Sequence, residues 1–314
     1  MPVLGPAHIP RPTLPAWIVL GMTVGATLAN GWAGLRLSPP PVGVLSPMLV
    51  TFLIAWWASL RGASRLAEAG FYIGLWVVWS NISVEISYLV ALDGATLRDA
   101  LLARADAAIG FCWDGVARFT SARPLLTFIE ASAYSSSPLQ IAATVCLLAW
   151  LGPPGRNREL FVQVSVALAL CLAVFAAAPA YGPGERFGWR VPWDDVLRTL
   201  RNGHSGPLPY AGIVEFPSFH TVLALVLTYA HRGNRWCLLV VGALNLAMLS
   251  AVPLEGNHYA VDMAGGAVVA LTSVGLERWL PGGRCDGRAT ARVRRRKTLH
   301  ISNIILPSRR RDRP

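Results

Sequence analysis

The chain of 314 residues is 54% hydrophobic and 14% charged, with a mean hydropathy of +0.45. A soluble domain of this length carries about a quarter charged residues, so the composition excludes an ordinary soluble fold and predicts an all-α, polytopic membrane helical bundle. The formal charge of +11 does not mark a nucleic-acid binder, because residues 281–314 hold eleven Lys or Arg against two Asp and the remainder is nearly neutral.

A membrane-spanning helix needs roughly 20 apolar residues. Such runs predict eight spans, near 14–35, 44–60, 69–92, 134–151, 160–178, 217–231, 236–254 and 258–280. The first has small residues near Ala29, as a signal peptide would, but its length and the lack of a soluble domain behind it favour a retained span. Three regions follow: an N-terminal helix pair in 1–65, a six-helix core in 66–280, and a basic tail in 281–314 whose composition predicts disorder. The tail's charge suits anionic lipid at a membrane surface. The five cysteines, Cys112, Cys146, Cys171, Cys237 and Cys285, contain no CxxC pair and imply no disulfide framework.

Basic residues in short connections stay on the cytoplasmic side. Arg61 and Arg65 follow the second span, Arg156 and Arg158 the fourth, Arg232 and Arg235 the sixth, and the basic tail the eighth. In an alternating topology all four groups fall on one side, which predicts cytoplasmic termini. The two long connections, 93–133 and 179–216, are then on the other face. In the first, "LRDALLARADAAIGFCWDGVARF" alternates apolar and charged positions at helical spacing, as an interfacial helix does. The second, dense in Gly, Pro, Trp and Arg, reads as an ordered loop, and connections this long within a bundle are usually functional.

Two polar stretches open spans on that same face. In "EFPSFH", Pro217 fits the first helical position, which puts Ser218 and His220 in a first turn whose amide hydrogens lack helical partners and attract anions. In "EGNHYAVDMAGGAVVA", His258 and Asp262 are four apart and share a helix face, so the carboxylate can hold one imidazole nitrogen. A histidine nucleophile or base needs such support. Gly265 and Gly266 permit close helix packing. A lone histidine at a helix end is usually interfacial, and His204 and His231 are assigned no role. The pairing with Ser218 and Asp262 at one depth is what argues for a site.

These residues resemble a known family. "FPSFH" and "GNHYAVDMAGG" are similar, in order and spacing, to the PSxH and HxxxD motifs of the type 2 phosphatidic acid phosphatase and haloperoxidase superfamily. "HYAVDMAGG", "LLARADAAIGFCWDG" and "YSSSPLQ" are closest to the branch of inositol phosphorylceramide synthases and their bacterial relatives, over about residues 69–280. The resemblance implies metal-independent phosphoryl transfer with no cofactor. His258 would be the nucleophile that becomes phosphohistidine, Asp262 its orienting carboxylate, His220 the proton donor to the leaving oxygen, and Ser218 a phosphate ligand. It further implies a membrane lipid phosphate or phosphodiester as substrate, with water or a ceramide-like alcohol as acceptor, so phosphatase and transferase both stay open.

The chain departs from the family pattern. Where the third motif usually has Ser-Arg ahead of its histidine, the residues are Ala251 and Val252, and where the first has Lys ahead of Arg-Pro, Val116 precedes Arg123-Pro124. Another cation must grip the phosphate, and Arg186, Arg190, Arg198 and Arg201 in the second long connection are the candidates for substrate binding. Glu85, four residues after Asn81 inside the third span, is a further substrate-binding candidate, because an ionisable group within a membrane segment is costly unless used. Two other readings compete: a metal-dependent membrane hydrolase with His220, His258, Asp262 and Glu255 as ligands, and a non-catalytic lipid-binding or transport protein.

Overall fold

The computed structural model describes residues 13–34, 42–92, 94–184, 192–203, 208, 210–254 and 258–280, with backbone alone at 42–45 and 192–194. The chain divides into two units, Met1–Glu277 and Arg278–Pro314, and the helices all lie in the first. They are α1 (Leu14–Ala33), α2 (Val42–Leu60), α3 (Ser64–Ala91), α4 (Asp99–Ala108), α5 (Trp113–Ser121), α6 (Pro124–Ser135), α7 (Ser137–Leu151), α8 (Arg156–Ala177), α9 (Pro192–Arg201), α10 (Phe219–Ala230), α11 (Arg235–Leu254) and α12 (Ala260–Glu277). Among the described residues there is no strand, and the fold is an all-α bundle.

Five helices, α1, α3, α8, α11 and α12, are long and apolar enough to cross a membrane, while α2, α7 and α10 are shorter apolar helices. Together they match the eight apolar runs. Their outer faces carry large apolar side chains in the open, including Leu28, Leu53, Trp56, Leu239, Leu246 and Leu271. Such a belt suits lipid rather than water, and the chain is a multi-pass membrane protein.

The centre of the bundle is α8, which packs against α3, α10 and α12, while α1 and α2 lie along α3. Apolar side chains gain nothing by leaving lipid for one another, so close packing holds such helices together. Here that packing is aromatic. Trp76 and Trp79 of α3 set their edges against Phe161 of α8 at ring separations of 5.0 and 6.3 Å, and Trp79 stacks on Phe219 of α10.

The first long connection differs from the expected single interfacial helix. It contains three helices, α4, α5 and α6, and α6 packs on α11. Pro124 opens α6, where its missing amide hydrogen costs nothing. Pro138 cannot donate to the carbonyl of Tyr134, and the break between α6 and α7 falls at Ser136. The second long connection contains α9.

Candidate functional site

Ser218 is the N-cap of α10, its hydroxyl oxygen accepting from the Thr221 amide at 3.3 Å. Pro217 therefore precedes the cap rather than opening the helix, and the expectation that it holds the first helical position is corrected. The serine oxygen also accepts from the Thr221 hydroxyl at 3.2 Å, and the Ser218 amide donates to the Asp262 carbonyl at 3.2 Å. The first helical bond of α10 runs from Val222 to Ser218, so the amides of Phe219 and His220 lie outside both cap and ladder.

Glycine brings the second stretch against the first. A Cβ on Gly266 would stand 2.5 Å from the Ser218 carbonyl oxygen and 2.8 Å from the Thr221 Cβ, and one on Gly265 would press on Phe216 and Pro217. Only a residue without a side chain lets α12 lie this close to the start of α10.

His258 sits just ahead of α12, 3% exposed. Its Nδ1 is 2.8 Å from the main-chain carbonyl oxygen of Glu215. That oxygen can only accept, so Nδ1 carries the hydrogen and the lone pair is left on Nε2. The carboxylates of Glu215 and Asp262 each place an Oε2 or Oδ2 3.5 Å from the same Nδ1. The helical spacing of His258 and Asp262 thus brings them together, but the hydrogen bond that fixes the ring comes from Glu215. Asp262 reaches back to the Tyr259 amide at 2.8 Å, as the third residue of a capping box does.

His220 faces His258 with ring centroids 6.1 Å apart, and Tyr134 of α6 stacks on the other side of His220 at 3.7 Å. Both histidines belong to the wall of a cavity of about 440 Å³, with Trp79, Val84, Tyr134, Leu168, Glu215 and Phe219. Ser80, Ser83 and Ser87 of α3 also line it. Their hydroxyls donate to carbonyls of their own helix, at 3.0, 2.6 and 2.7 Å, which leaves oxygen lone pairs for a guest.

Three residues that build this site were not singled out from sequence. Glu215 stands in the "EFPSFH" stretch itself, and an acid in an apolar run was the available signal. Asp106 of α4 is fully buried and accepts from the amides of Ala260 and Val261 at 3.0 and 2.9 Å and from the Trp113 indole at 2.8 Å. Asp99 accepts from the Tyr259 hydroxyl at 3.1 Å and from the amides of Tyr181 and Gly182 at 3.0 Å each. These aspartates, seven residues and two helical turns apart, share the face of α4 that grips the chain around His258. Because Asp106 and Asp262 occupy the first amides of α12, that helix end offers no anion site.

The described substrate-binding candidates lie elsewhere. Arg198 lays its guanidinium over the Tyr181 ring at 4.4 Å, and Arg201 donates to the Ala95 carbonyl at 2.9 Å. Neither lines the cavity. Arg186, Arg190 and the suggested metal ligand Glu255 lie outside the described residues. Glu85 accepts from Asn30 of α1 at 3.0 Å and is not in the cavity wall. Its charge, after burial, pushes the Tyr210 phenol up from its ordinary value. Among the described residues no three His, Cys, Asp or Glu side chains are grouped to hold a metal ion.

The fold and the paired histidines define a class: a polytopic helical membrane protein with two neighbouring histidines at one end of its bundle. The chain belongs to the PAP2 superfamily, whose family model matches residues 100–276, more than half of its length. No curated protein and no solved structure matches it. The matched segment runs from α4 to α12 and holds all four motif residues, while α3, with its serine-lined wall, lies outside it. Membership points to phosphatase-type phosphoryl-transfer chemistry.

Proposed function

We propose that this protein is a metal-independent phosphoryl-transfer enzyme acting on a lipid phosphate or phosphodiester through a phosphohistidine at His258. The observation that carries the reading is the His258 ring, its Nδ1 hydrogen committed to the Glu215 carbonyl between two carboxylates and its neighbour His220 across one cavity. In the proposed step the Nε2 lone pair attacks phosphorus and the bond from phosphorus to the leaving oxygen breaks. His220 supplies that oxygen with a proton. The carboxylates of Glu215 and Asp262 offset the positive charge that develops on the His258 ring. Water or a lipid hydroxyl then attacks the phosphohistidine, His220 takes the acceptor's proton, and the enzyme returns to its starting state.

Apolar surroundings support a lipid substrate. A second cavity of about 290 Å³ between α3 and α7 shares Trp79, Ser80 and Phe219 with the first and is otherwise lined largely by apolar residues such as Ile73, Ile141 and Leu223. A headgroup among the histidines and serines can thus leave its chains against the α3–α7 wall. The sequence similarity to the inositol phosphorylceramide synthase-like branch favours a transferase variant of this chemistry. The arginine pattern favours cytoplasmic termini and a site on the opposite face.

The test incubates purified protein with phosphorus-labelled phospholipid, with and without a ceramide-like alcohol, and traps acid-labile phosphohistidine in wild type and His258→Ala. A labelled acceptor lipid identifies a transferase and free phosphate alone a phosphatase. Turnover that survives His258→Ala, or that needs a divalent metal after chelation, would falsify the mechanism. Topology is checked by thiol probes on cysteines placed at positions 204 and 234, which should label from opposite sides of the membrane.

A further inference from the structure

At the end of α10 away from His258, about 18 Å along the helix by its twelve residues, lies a third cavity, of about 220 Å³. The α7–α8 turn and the α10–α11 turn enclose it, and its wall includes Arg156, His231, Arg232, Asn234 and Cys237. Two guanidinium groups stand in that wall. Glu159, behind it, pairs with both: its Oε2 is 3.4 Å from Arg156 Nε and its Oε1 takes Arg232 Nη2. One carboxylate between two guanidiniums leaves this group with one positive charge to spare.

Part of the Arg156 guanidinium finds no acceptor among the described residues. The Arg156 side chain is only 11% exposed, and its Nε and Nη1 are shut off from solvent without a hydrogen-bond acceptor among the described residues. Buried guanidinium donors left without an acceptor are costly, and native proteins rarely leave them so. Trp150 and Trp236, next in sequence to the lining residues Leu151 and Cys237, are 43% and 65% exposed, and Arg235 lies over the Trp236 ring at 4.9 Å. Exposed tryptophans on a membrane helix sit at headgroup level, and basic pockets between helix ends are where anionic headgroups bind.

We propose that this cavity is a second site, separate from the histidine cavity, that binds a phosphate group, carried by an anionic phospholipid headgroup or present as free phosphate. The phosphate oxygens accept from Arg156 and Arg232, whose planar donor forks suit them. The occupant joins the α7–α8 and α10–α11 turns without taking part in turnover.

Cys237 gives a direct readout, because it lies in the wall while Cys112 is exposed far from it in sequence. The full-length protein in uncharged detergent is treated with a thiol reagent, and alkylation of each cysteine is followed by peptide mass spectrometry. The added probes are short-chain phosphatidylglycerol, short-chain phosphatidylcholine or inorganic phosphate. At about ten times the dissociation constant, bound ligand slows Cys237 alkylation roughly ten-fold and leaves Cys112 unchanged. Protection by phosphatidylglycerol alone identifies a lipid site, and protection by inorganic phosphate as well identifies a site for the phosphate group itself. His258→Ala should keep the protection, whereas Arg156→Gln and the charge-balanced pair Glu159→Gln with Arg232→Gln should lose it. Equal rates at Cys237 with every probe, protection by phosphatidylcholine to the same degree, or protection that vanishes in His258→Ala each overturns the proposal. Since the wild-type measurement stands alone, a variant that fails to fold does not rescue it.

Discussion

The two ends of the bundle handle charge in opposite ways. At the histidine end, Glu215, Asp262, His220 and His258 gather at the head of two helices, and no arginine lines their cavity among the described residues. At the other end three arginines meet acids. Arg232 and Arg156 bracket Glu159, Arg158 lies 3.6 Å from Glu277, and Gln163 and Asn157 add bonds to Glu159 and Glu68. The contrast separates two uses of buried polar groups. Ion pairs tie helix ends together and leave one positive charge over beside Glu159, whereas acids around an imidazole favour its positive form.

The largest expected effect breaks the first of these. His258→Ala removes the proposed nucleophile without disturbing the ion-pair end, and turnover should fall by at least about 10⁴-fold with melting temperature nearly unchanged. Steady-state rates and a thermal melt on the same preparation check it. Next comes Asp106→Ala, which strands the buried Trp113 indole at a cost of about 1–3 kcal/mol and two part-buried amides besides. Because those amides fix the chain just after His258, kcat should drop about 10- to 100-fold with little change in KM. Asp106→Asn, which keeps an acceptor oxygen, should recover part of the loss. Equal damage to KM and kcat in both variants would mean that Asp106 only holds the fold.

Gly266→Ala probes how the two motif stretches are kept together. Its Cβ would fall 2.5 Å from the Ser218 carbonyl oxygen, and overpacking of this kind costs about 1–3 kcal/mol. Stability should fall by that amount and activity with it, since α12 must retreat from α10. An alanine variant as stable and active as the parent would show that the helix contact does not set the histidine geometry.

Local patterns in the sequence carried the spans and the motif residues. Runs of apolar residues located eight helices within a few positions, and the four-residue step from His258 to Asp262 predicted their proximity. The topology also put His220 and His258 at one depth, and their rings lie 6.1 Å apart; what failed to show was the hydrogen bonding across distance. Asp106 is 154 residues from the Ala260 amide that it holds, and no periodicity in α4 reveals that. The carbonyl of Glu215 that fixes His258 is main chain, so no residue type announces it. Pro217 was placed two positions too far along, because proline suits a first helical position in general and the serine cap beside it wins here. Within 93–133, Gly110 at φ +78° marked the end of α4 and Pro124 the start of α6, but helical periodicity continues across such breaks.

The smallest effect concerns the arginines of α9, which sequence spacing made candidates for the phosphate. Arg201 donates to the Ala95 carbonyl and Arg198 covers Tyr181, both ordinary ways for a loop to be tied down. Arg201→Gln should cost about 1 kcal/mol of stability for one lost hydrogen bond and leave kcat/KM within about two-fold. Arg198→Gln loses a cation–π contact worth about 0.5–1 kcal/mol at an exposed site, and should change kcat/KM no more. These near-null results would keep the α9 guanidiniums out of the account of the histidine end, with the free amides of Phe219 and His220 left as donors to phosphate oxygens. A fall of more than about ten-fold in kcat/KM at unchanged stability would instead place an α9 guanidinium on the substrate. The two ends of the bundle would then differ in how tightly their cations are held, and no longer in whether they have them.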